Sequence, residues 1–407
     1  MTETSRTSPR IASITTYSVN YPLDVPMADA VHYIPGRAAL LVEVACEDGR
    51  VGTGESAIYG GSASVTEALV HDVLAPRVLG ADPTRPEQLW QRMLWPSHQL
   101  GTGGALPMAI SGIDIASWDL VGQIAGLPLF RLLGGHQDRV RAYASAGFYF
   151  AGKDAPAVAE EFREIAANGY GHGKMKVGRT PETPMNLLAH MVEPGFATVS
   201  FEEDLARVRA VRAAVGDDFR LMVDANNAWG VTTALAAGRE YDRLSVHWFE
   251  EPVATDDRAG SARLAAALDV PVAGYETESQ LSGFRDLVNA GAVDIVQPDV
   301  IWAGGITACR RIAALAYAAG LPCVPHVYST AVSIAANLHF MASLPNCYLL
   351  ELDQNPNALR SELLTEPIKP DADAVVAVPE RPGLGVRLDH TTLRRYRTAP
   401  PRTSERP

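Results

Sequence analysis

Basic residues are in the minority in this sequence. The 407-residue chain carries 35 Lys and Arg against 47 Asp and Glu, a formal net charge of −12. That balance disfavours a surface built for nucleic acid or an anionic membrane, so neither is expected as a partner. An anionic substrate would need a local cationic site. Cysteine is scarce. Cys46, Cys309, Cys323 and Cys347 are scattered and show no Cys-x-x-Cys spacing. They read as reduced core residues and not as a disulfide frame. No apolar run reaches the roughly 18 residues that a membrane span needs. The opening MTETSRTSPR lacks the apolar core of a secretion signal, so the cytoplasm is the expected location. The two ends, 1–8 and 399–407, are rich in Pro, Ser, Thr and Arg and are expected to fray.

What remains is a soluble globular composition, 47% hydrophobic and 20% charged. The length exceeds one ordinary core, so two domains or a large barrel with an extra domain is expected. IASITTYSV has strand composition. LLVEVACEDGRVGTGES reads as two strands joined at Asp48-Gly49, a strong hairpin signal. After about residue 63 the pattern turns helical, and Gly126-Leu127-Pro128 is a plausible stop. These features predict an α+β unit over residues 1–138.

From about residue 139 the rhythm changes. Eight short apolar runs ending in polar residues alternate with Ala/Leu/Arg-rich stretches, from RAYASAGFYF and HGKMKVG to CYLLELD. Alternating strands and helices mean parallel strands, and eight such units close into a barrel over 139–365. The polar residues closing the strands are Asp224, Glu250, Glu276, Asp299, His326 and Glu351, at steps of 26, 26, 23, 27 and 25 residues. A near-constant step of one strand–helix unit puts all six at one end of the barrel, where barrel active sites sit. The step from Lys176 to Asp224 is 48 residues. Its surplus, residues 180–200, reads as an insertion over the site. The segment 366–407 is expected to pack back on the N-terminal domain.

Asp224, Glu250 and Glu276 supply three hard oxygen ligands, with no His or Cys among them. That set suits Mg²⁺ or, as a substitute, Mn²⁺ better than Zn²⁺. Any one acidic strand end could simply be solvated; three in register point to a metal. Lys174 and Lys176 flank Met175 on one strand, so both point the same way. Two like charges at i, i+2 lower each other's pKa, and a nearby cation lowers it further. A lysine so poised is a competent base. Asp299 beside His326 would fix the imidazole tautomer and raise its pKa, giving a second acid/base group. Glu351 closes the ring, either protonated and donating to a substrate carboxylate or orienting a neighbour. A metal with acid/base groups on both sides suits removal of a proton alpha to a carboxylate, with the resulting enediolate stabilised.

The ordered set KMK (174–176), DAN (224–226), EEP (250–252), YE (275–276), QPD (297–299), PHV (325–327) and ELD (351–353) resembles the enolase superfamily, in particular its mandelate racemase subgroup. GIDIASWDLVGQIAGLPLFRLLGG (112–135) is similar to that family's helix and linker between cap and barrel. The resemblance implies a modified (βα)₇β barrel, capped by an α+β domain from the N-terminal region and the C-terminal tail. It implies Asp224, Glu250 (not Glu251) and Glu276 as Mg²⁺ ligands, and Lys176 as base. Lys174 would sit on the substrate carboxylate, Asn226 would contact substrate, and the His326–Asp299 dyad would act on the opposite face. Cap loops 20–36 and 57–64 would set specificity, with Tyr33 and Tyr149 as further polar pocket candidates. A homo-oligomer is implied.

The third ligand usually sits in a Gly-Glu pair, whereas this chain has Tyr275-Glu276-Thr277-Glu278, so Glu278 could compete for the metal. Muconate-lactonizing and dipeptide-epimerase relatives would carry a lysine where Asp299 stands, which argues against them. The first expectation is an acid-sugar dehydratase, a hydro-lyase. Lys176 or His326 would remove the alpha proton and protonated His326 would help the β-hydroxyl leave, giving a 2-keto-3-deoxy acid. The alternative is a racemase, or an aldarolactone cycloisomerase, whose branch PHVYSTAVSIAANLHFMA also resembles.

Overall fold

The computed structural model describes residues 9–58, 62–180 and 198–406. Its first strands, β1 (Ile11–Ala28), β2 (Tyr33–Cys46) and β3 (Val51–Ser56), pair antiparallel. The turn between β2 and β3 falls at Asp48-Gly49, where Gly49 takes φ 85°, a region glycine enters without steric penalty. The helix Ala105–Ala125 crosses this sheet and ends at Gly126, which has φ 70°. Sheet and helix approach until backbones touch. A Cβ built on Gly54 would lie 2.1 Å from the Gly112 carbonyl oxygen.

The second body is a parallel barrel. Its strands are β4 (Arg139–Ala146), β5 (His172–Lys176), β6 (Arg220–Asp224), β7 (Phe249–Glu250), β8 (Val272–Gly274), β9 (Ile295–Val296) and β10 (Leu349–Asp353). Between β9 and β10 the seventh position is filled by a single parallel bridge, Val296 to Cys323. β10 pairs with β4 and closes the ring. Helices follow the first seven positions, from Ala155–Ala167 to Ala331–Ala342, while β10 is followed by only the short Ala358–Ser361. The architecture is therefore a (βα)₇β barrel with an α+β cap. Tyr143, Met222, Trp248, Ile295, Val324 and Leu349 fill the barrel interior, as in other barrels whose inward residues stack in layers. Met175 points outward into the core under the helices.

Local signals explain the helix starts. Ser200 accepts from the Glu203 N–H at 3.2 Å while the Glu203 carboxylate accepts from the Ser200 N–H at 2.7 Å. This reciprocal cap opens the helix Phe201–Val215. Most of the expected insertion lies outside the described residues, namely 181–197.

The tail makes two attachments. β11 (Val375–Ala377) adds antiparallel to β4, and β12 (Arg402–Glu405) adds to the free edge of β1. The expectation that 399–407 frays is thus overturned. An unpaired strand edge offers backbone partners that composition cannot reveal, and Arg406 pairs with Glu47 at 2.9 Å. No helix among the described residues is long and apolar enough to cross a membrane.

Candidate active site

Strand register assembles the site. Lys176 on β5 pairs with Asp224 on β6, and Asp224 with Glu250 on β7. All three strands end at the same level, so their last side chains converge. Ligand oxygens of Asp224, Glu250 and Glu276 lie within 4.8 Å of one another, all at least largely buried. Three buried carboxylates this close repel unless cations sit among them. The donors are all hard oxygens, which fits a small divalent cation such as Mg²⁺.

Both lysines point inward from β5. The Lys174 ammonium contacts Glu250 and lies 2.9 Å from Glu351 and 3.7 Å from Asp224. The Lys176 ammonium contacts Asp224. Lys176 lies 5.2 Å over the Phe148 ring and Lys174 5.6 Å over that of Tyr143, within cation–π reach. The expected lowering of their pKa values rested on a cation among the carboxylates, and without one the balance is different. Burial does lower both, but the carboxylates outweigh it and hold both ammonium groups above the usual lysine range. Asp224 and Glu250, when not neutralised by a cation, draw both protons more tightly.

Lys174 is also not where the substrate was expected to meet it. It is wholly buried beneath the cavity and orders Glu250 and Glu351. Glu351 accepts from the Val327 N–H at 3.1 Å. Burial alone would raise its pKa, yet Lys174 and His326 hold it down to about 2. Its contacts with Lys174 and the Val327 N–H place Glu351 as an orienting group at the floor of the site.

His326 occupies the other flank. Its Nδ1 is 2.8 Å from Asp299 Oδ2, and its Nε2 is 3.1 Å from Glu276 Oε2. Burial disfavours the imidazolium, but Glu276 and Asp299 carry the pKa up to about 10. Asp299 is itself fixed by the Ile301 N–H at 3.0 Å.

Lys176, His326, Glu276 and Asn226 line one cavity of about 700 Å³ between barrel and cap. Asn226 Oδ1 is buried with no hydrogen-bond partner among the described residues, an acceptor that faces the cavity. Loop 20–36 lines this cavity through Asn20, Asp29, His32 and Tyr33, and loop 57–64 through Ile58. Residues 59–61 lie outside the described set. Two expectations fail here. Tyr149 does not line the cavity; its hydroxyl donates to Asp204 at 2.5 Å, behind the β5 strand end. Glu278 turns away from the metal cluster, 3.0 Å from Arg258. One residue of Thr277 separates it from Glu276, but the chain leaves the strand there and the period of two no longer holds.

Sequence reading missed the residues that steady this ring. Trp248 Nε1 and Gln297 Nε2 donate to Glu250 at 3.0 and 2.9 Å. Glu251 accepts from the Glu276 N–H at 2.9 Å and from Asn227, setting the turn that presents Glu276. Glu55 on β3 is fully buried and accepts from Ser329, Thr330 and the Ser333 N–H. It ties the cap to the loop after His326. Arg37 on β2 contacts Tyr328 and Asp353. Gln297 and Glu251 had a signal, as members of QPD and EEP. Glu55 and Arg37 needed the cap's docking to be known, and Trp248 the inward packing of the barrel.

A capped (βα)₇β barrel with three clustered carboxylates between a lysine and a His–Asp pair defines the enolase class of proteins. The chain belongs to the mandelate racemase / muconate lactonizing enzyme family: that family's N-terminal domain matches residues 11–134, and an enolase C-terminal domain-like module matches 157–392. Among curated relatives, an arabinonate dehydratase of Saccharolobus solfataricus is 37% identical over 355 residues, spanning 87% of this chain and 89% of its own. A D-galactarolactone cycloisomerase of Agrobacterium fabrum is 35% identical over 402 residues, spanning 96% and 100%. Among solved structures, a racemase from Streptomyces coelicolor A3(2) with bound magnesium superposes with TM-score 0.84 at 32% identity, covering 95% of this chain and 100% of that one.

Proposed function

We propose that this enzyme removes the proton alpha to the carboxylate of a sugar acid and expels the β-hydroxyl, giving a 2-keto-3-deoxy acid. Acid-sugar chemistry is common to the dehydratase and cycloisomerase relatives. The observation that carries the reading is the placement of Lys176 and His326 on either side of the carboxylate cluster in strand order, both facing one cavity. Two groups able to exchange a proton thus reach a bound alpha carbon from two sides.

Asp224, Glu250 and Glu276 would hold Mg²⁺, as their oxygen-only donor set fits. Held there, the ion would supply positive charge for a substrate carboxylate and its enediolate. With a cation among the carboxylates that otherwise hold their protons, Lys176 or His326 would be freed to take the proton, according to the face that bears it. Lys174 and Glu351 keep the floor of the site ordered, and Asn226 offers its free oxygen to a substrate hydroxyl. A protonated group then assists departure of the β-hydroxyl.

Cycloisomerisation of an aldarolactone is the second reading. It is favoured by the relative of that activity, which this chain matches over its full length. Both readings share the first step and differ in what leaves. A library of aldonic acids, aldaric acids and aldarolactones with Mg²⁺, scored for keto product by semicarbazide, separates them. Keto product from an aldonic or aldaric acid supports dehydration. Ring-opened or racemised acid without keto product from any of them replaces it.

A further inference from the structure

The cavity holds two His–Asp pairs of the same design. On the barrel side, His326 Nδ1 meets Asp299 at 2.8 Å. On the cap side, His32 Nδ1 meets Asp29 Oδ2 at 3.0 Å. The cap pair is built, not incidental. Asp29 is buried, and its Oδ1 accepts from the N–H groups of Val31 at 2.8 Å and His32 at 2.6 Å. Arg179 Nη1 donates to the Asp29 carbonyl at 3.1 Å. Ala28 and Tyr149 exchange two backbone hydrogen bonds at 2.8 and 2.9 Å just before the turn. The imidazole is therefore presented by a clamped loop.

The two pairs differ at the second ring nitrogen. His326 Nε2 is engaged 3.1 Å from Glu276, at the level of the carboxylates. His32 Nε2 has no partner among the described residues, and the side chain is 59% exposed on the cavity wall. The Asp29 carboxylate holds the ring above its ordinary pKa against the pull of burial, with Glu276 helping and Lys176 opposing from the barrel. An imidazole oriented by a carboxylate that favours its protonated form, with its second nitrogen turned to the cavity, is equipped as a proton donor.

We propose that His32, oriented by Asp29, is the acid that protonates the leaving hydroxyl. This rests on the dehydration reading above. Removal of the alpha proton leaves an electron pair on the substrate. That pair forms the bond between the alpha and beta carbons, the bond from the beta carbon to oxygen breaks, and the oxygen takes the Nε2 proton of His32 and departs as water. His32 is left neutral and regains a proton through its exposed face. The cap then contributes chemistry as well as fit, and His326 and Lys176 are left to serve the alpha carbon.

The test uses the full-length Mg²⁺-loaded protein in D₂O with each acid of the library above, arabinonate and galactarate included, that wild type turns over. Exchange of the alpha proton is followed by NMR and keto product by semicarbazide. His32→Gln, checked for folding by circular dichroism, is expected to keep exchange within about threefold of wild type while product falls about 10²–10⁴-fold, the usual worth of a general acid. Imidazole in the buffer is expected to restore product formation in His32→Ala, since the cavity is open to it; a purely structural loss would not be restored. Product retained in both variants would assign the acid to another group and overturn the proposal. So would a parallel loss of exchange and product. Wild type that gives no keto product from any acid of the library would overturn the proposed function and this inference with it; an active wild type whose variants keep product overturns the inference alone.

Discussion

Lys176 and Asp224 stand directly opposite each other across the parallel strands β5 and β6, and their side chains meet inside the barrel. The pairing keeps a fully buried Asp224 carboxylate and a nearly buried ammonium in contact at the edge of the substrate cavity. It fixes where a proton acceptor can stand relative to anything held by the carboxylates. Lys176→Ala should therefore reduce exchange of the alpha proton by about 10²–10⁴-fold for substrates whose proton faces β5. Exchange in D₂O measures this. Undiminished exchange with every active substrate would leave His326 as the base.

The metal cluster makes a contrast between neighbours in sequence. Glu276→Gln should weaken Mg²⁺ binding by at least ~10-fold, as loss of coordinating or supporting groups commonly does, whereas Glu278→Gln should leave it nearly unchanged. Titration calorimetry with Mg²⁺ alone reads both. The reverse pattern would make Glu278 the ligand, against its contact with Arg258.

Glu55 gives a pH signature. Burial raises its pKa from 4.5 to about 7, against the hydrogen bonds from Ser329, Thr330 and Ser333. The folded state thus binds this proton more tightly than the unfolded chain does. The stability linked to it is fully present below pH 4.5 and is lost as pH rises through 7, by about 3 kcal/mol. Glu55→Gln has no such proton. Its stability relative to wild type should improve from about pH 4.5 to pH 7 and level off above that, whatever constant cost the swap adds. Denaturant melts across that range measure the slope, and parallel curves would refute the assignment.

Gly54 tests the contact between sheet and helix in the cap. A methyl group there would lie 2.1 Å from the Gly112 carbonyl oxygen, and both partners are backbone. Gly54→Ala should cost about 1–3 kcal/mol or more, because overpacking against backbone cannot be relieved by a rotamer change. Equilibrium unfolding checks it.

The barrel and its reactive end were legible because they rest on periodicity. A side chain's direction on a strand is fixed by a period of two, and strand ends recur once per strand–helix unit. Lys174, Lys176, Asp224, Glu250 and His326 follow from those two rules. Glu278 and Tyr149 did not follow, since each lies past the point where its strand ends and the rule lapses. Asp299 and His326 are 27 residues apart and were paired by position alone; their contact at 2.8 Å confirms that proximity.

What the sequence by itself determined was the ring of strand-end groups and the family it resembles. Tertiary structure decided their states and their company. It set both lysines against buried carboxylates, whose pull on their protons depends on distances that spacing does not encode. It put Lys174 beneath the cavity instead of in it. It also brought His32 and Asp29 from the cap over Lys176 and Glu276. That meeting joins residues more than 140 positions apart in the chain. It exists only because the cap sheet, the barrel and the returning tail dock as one surface.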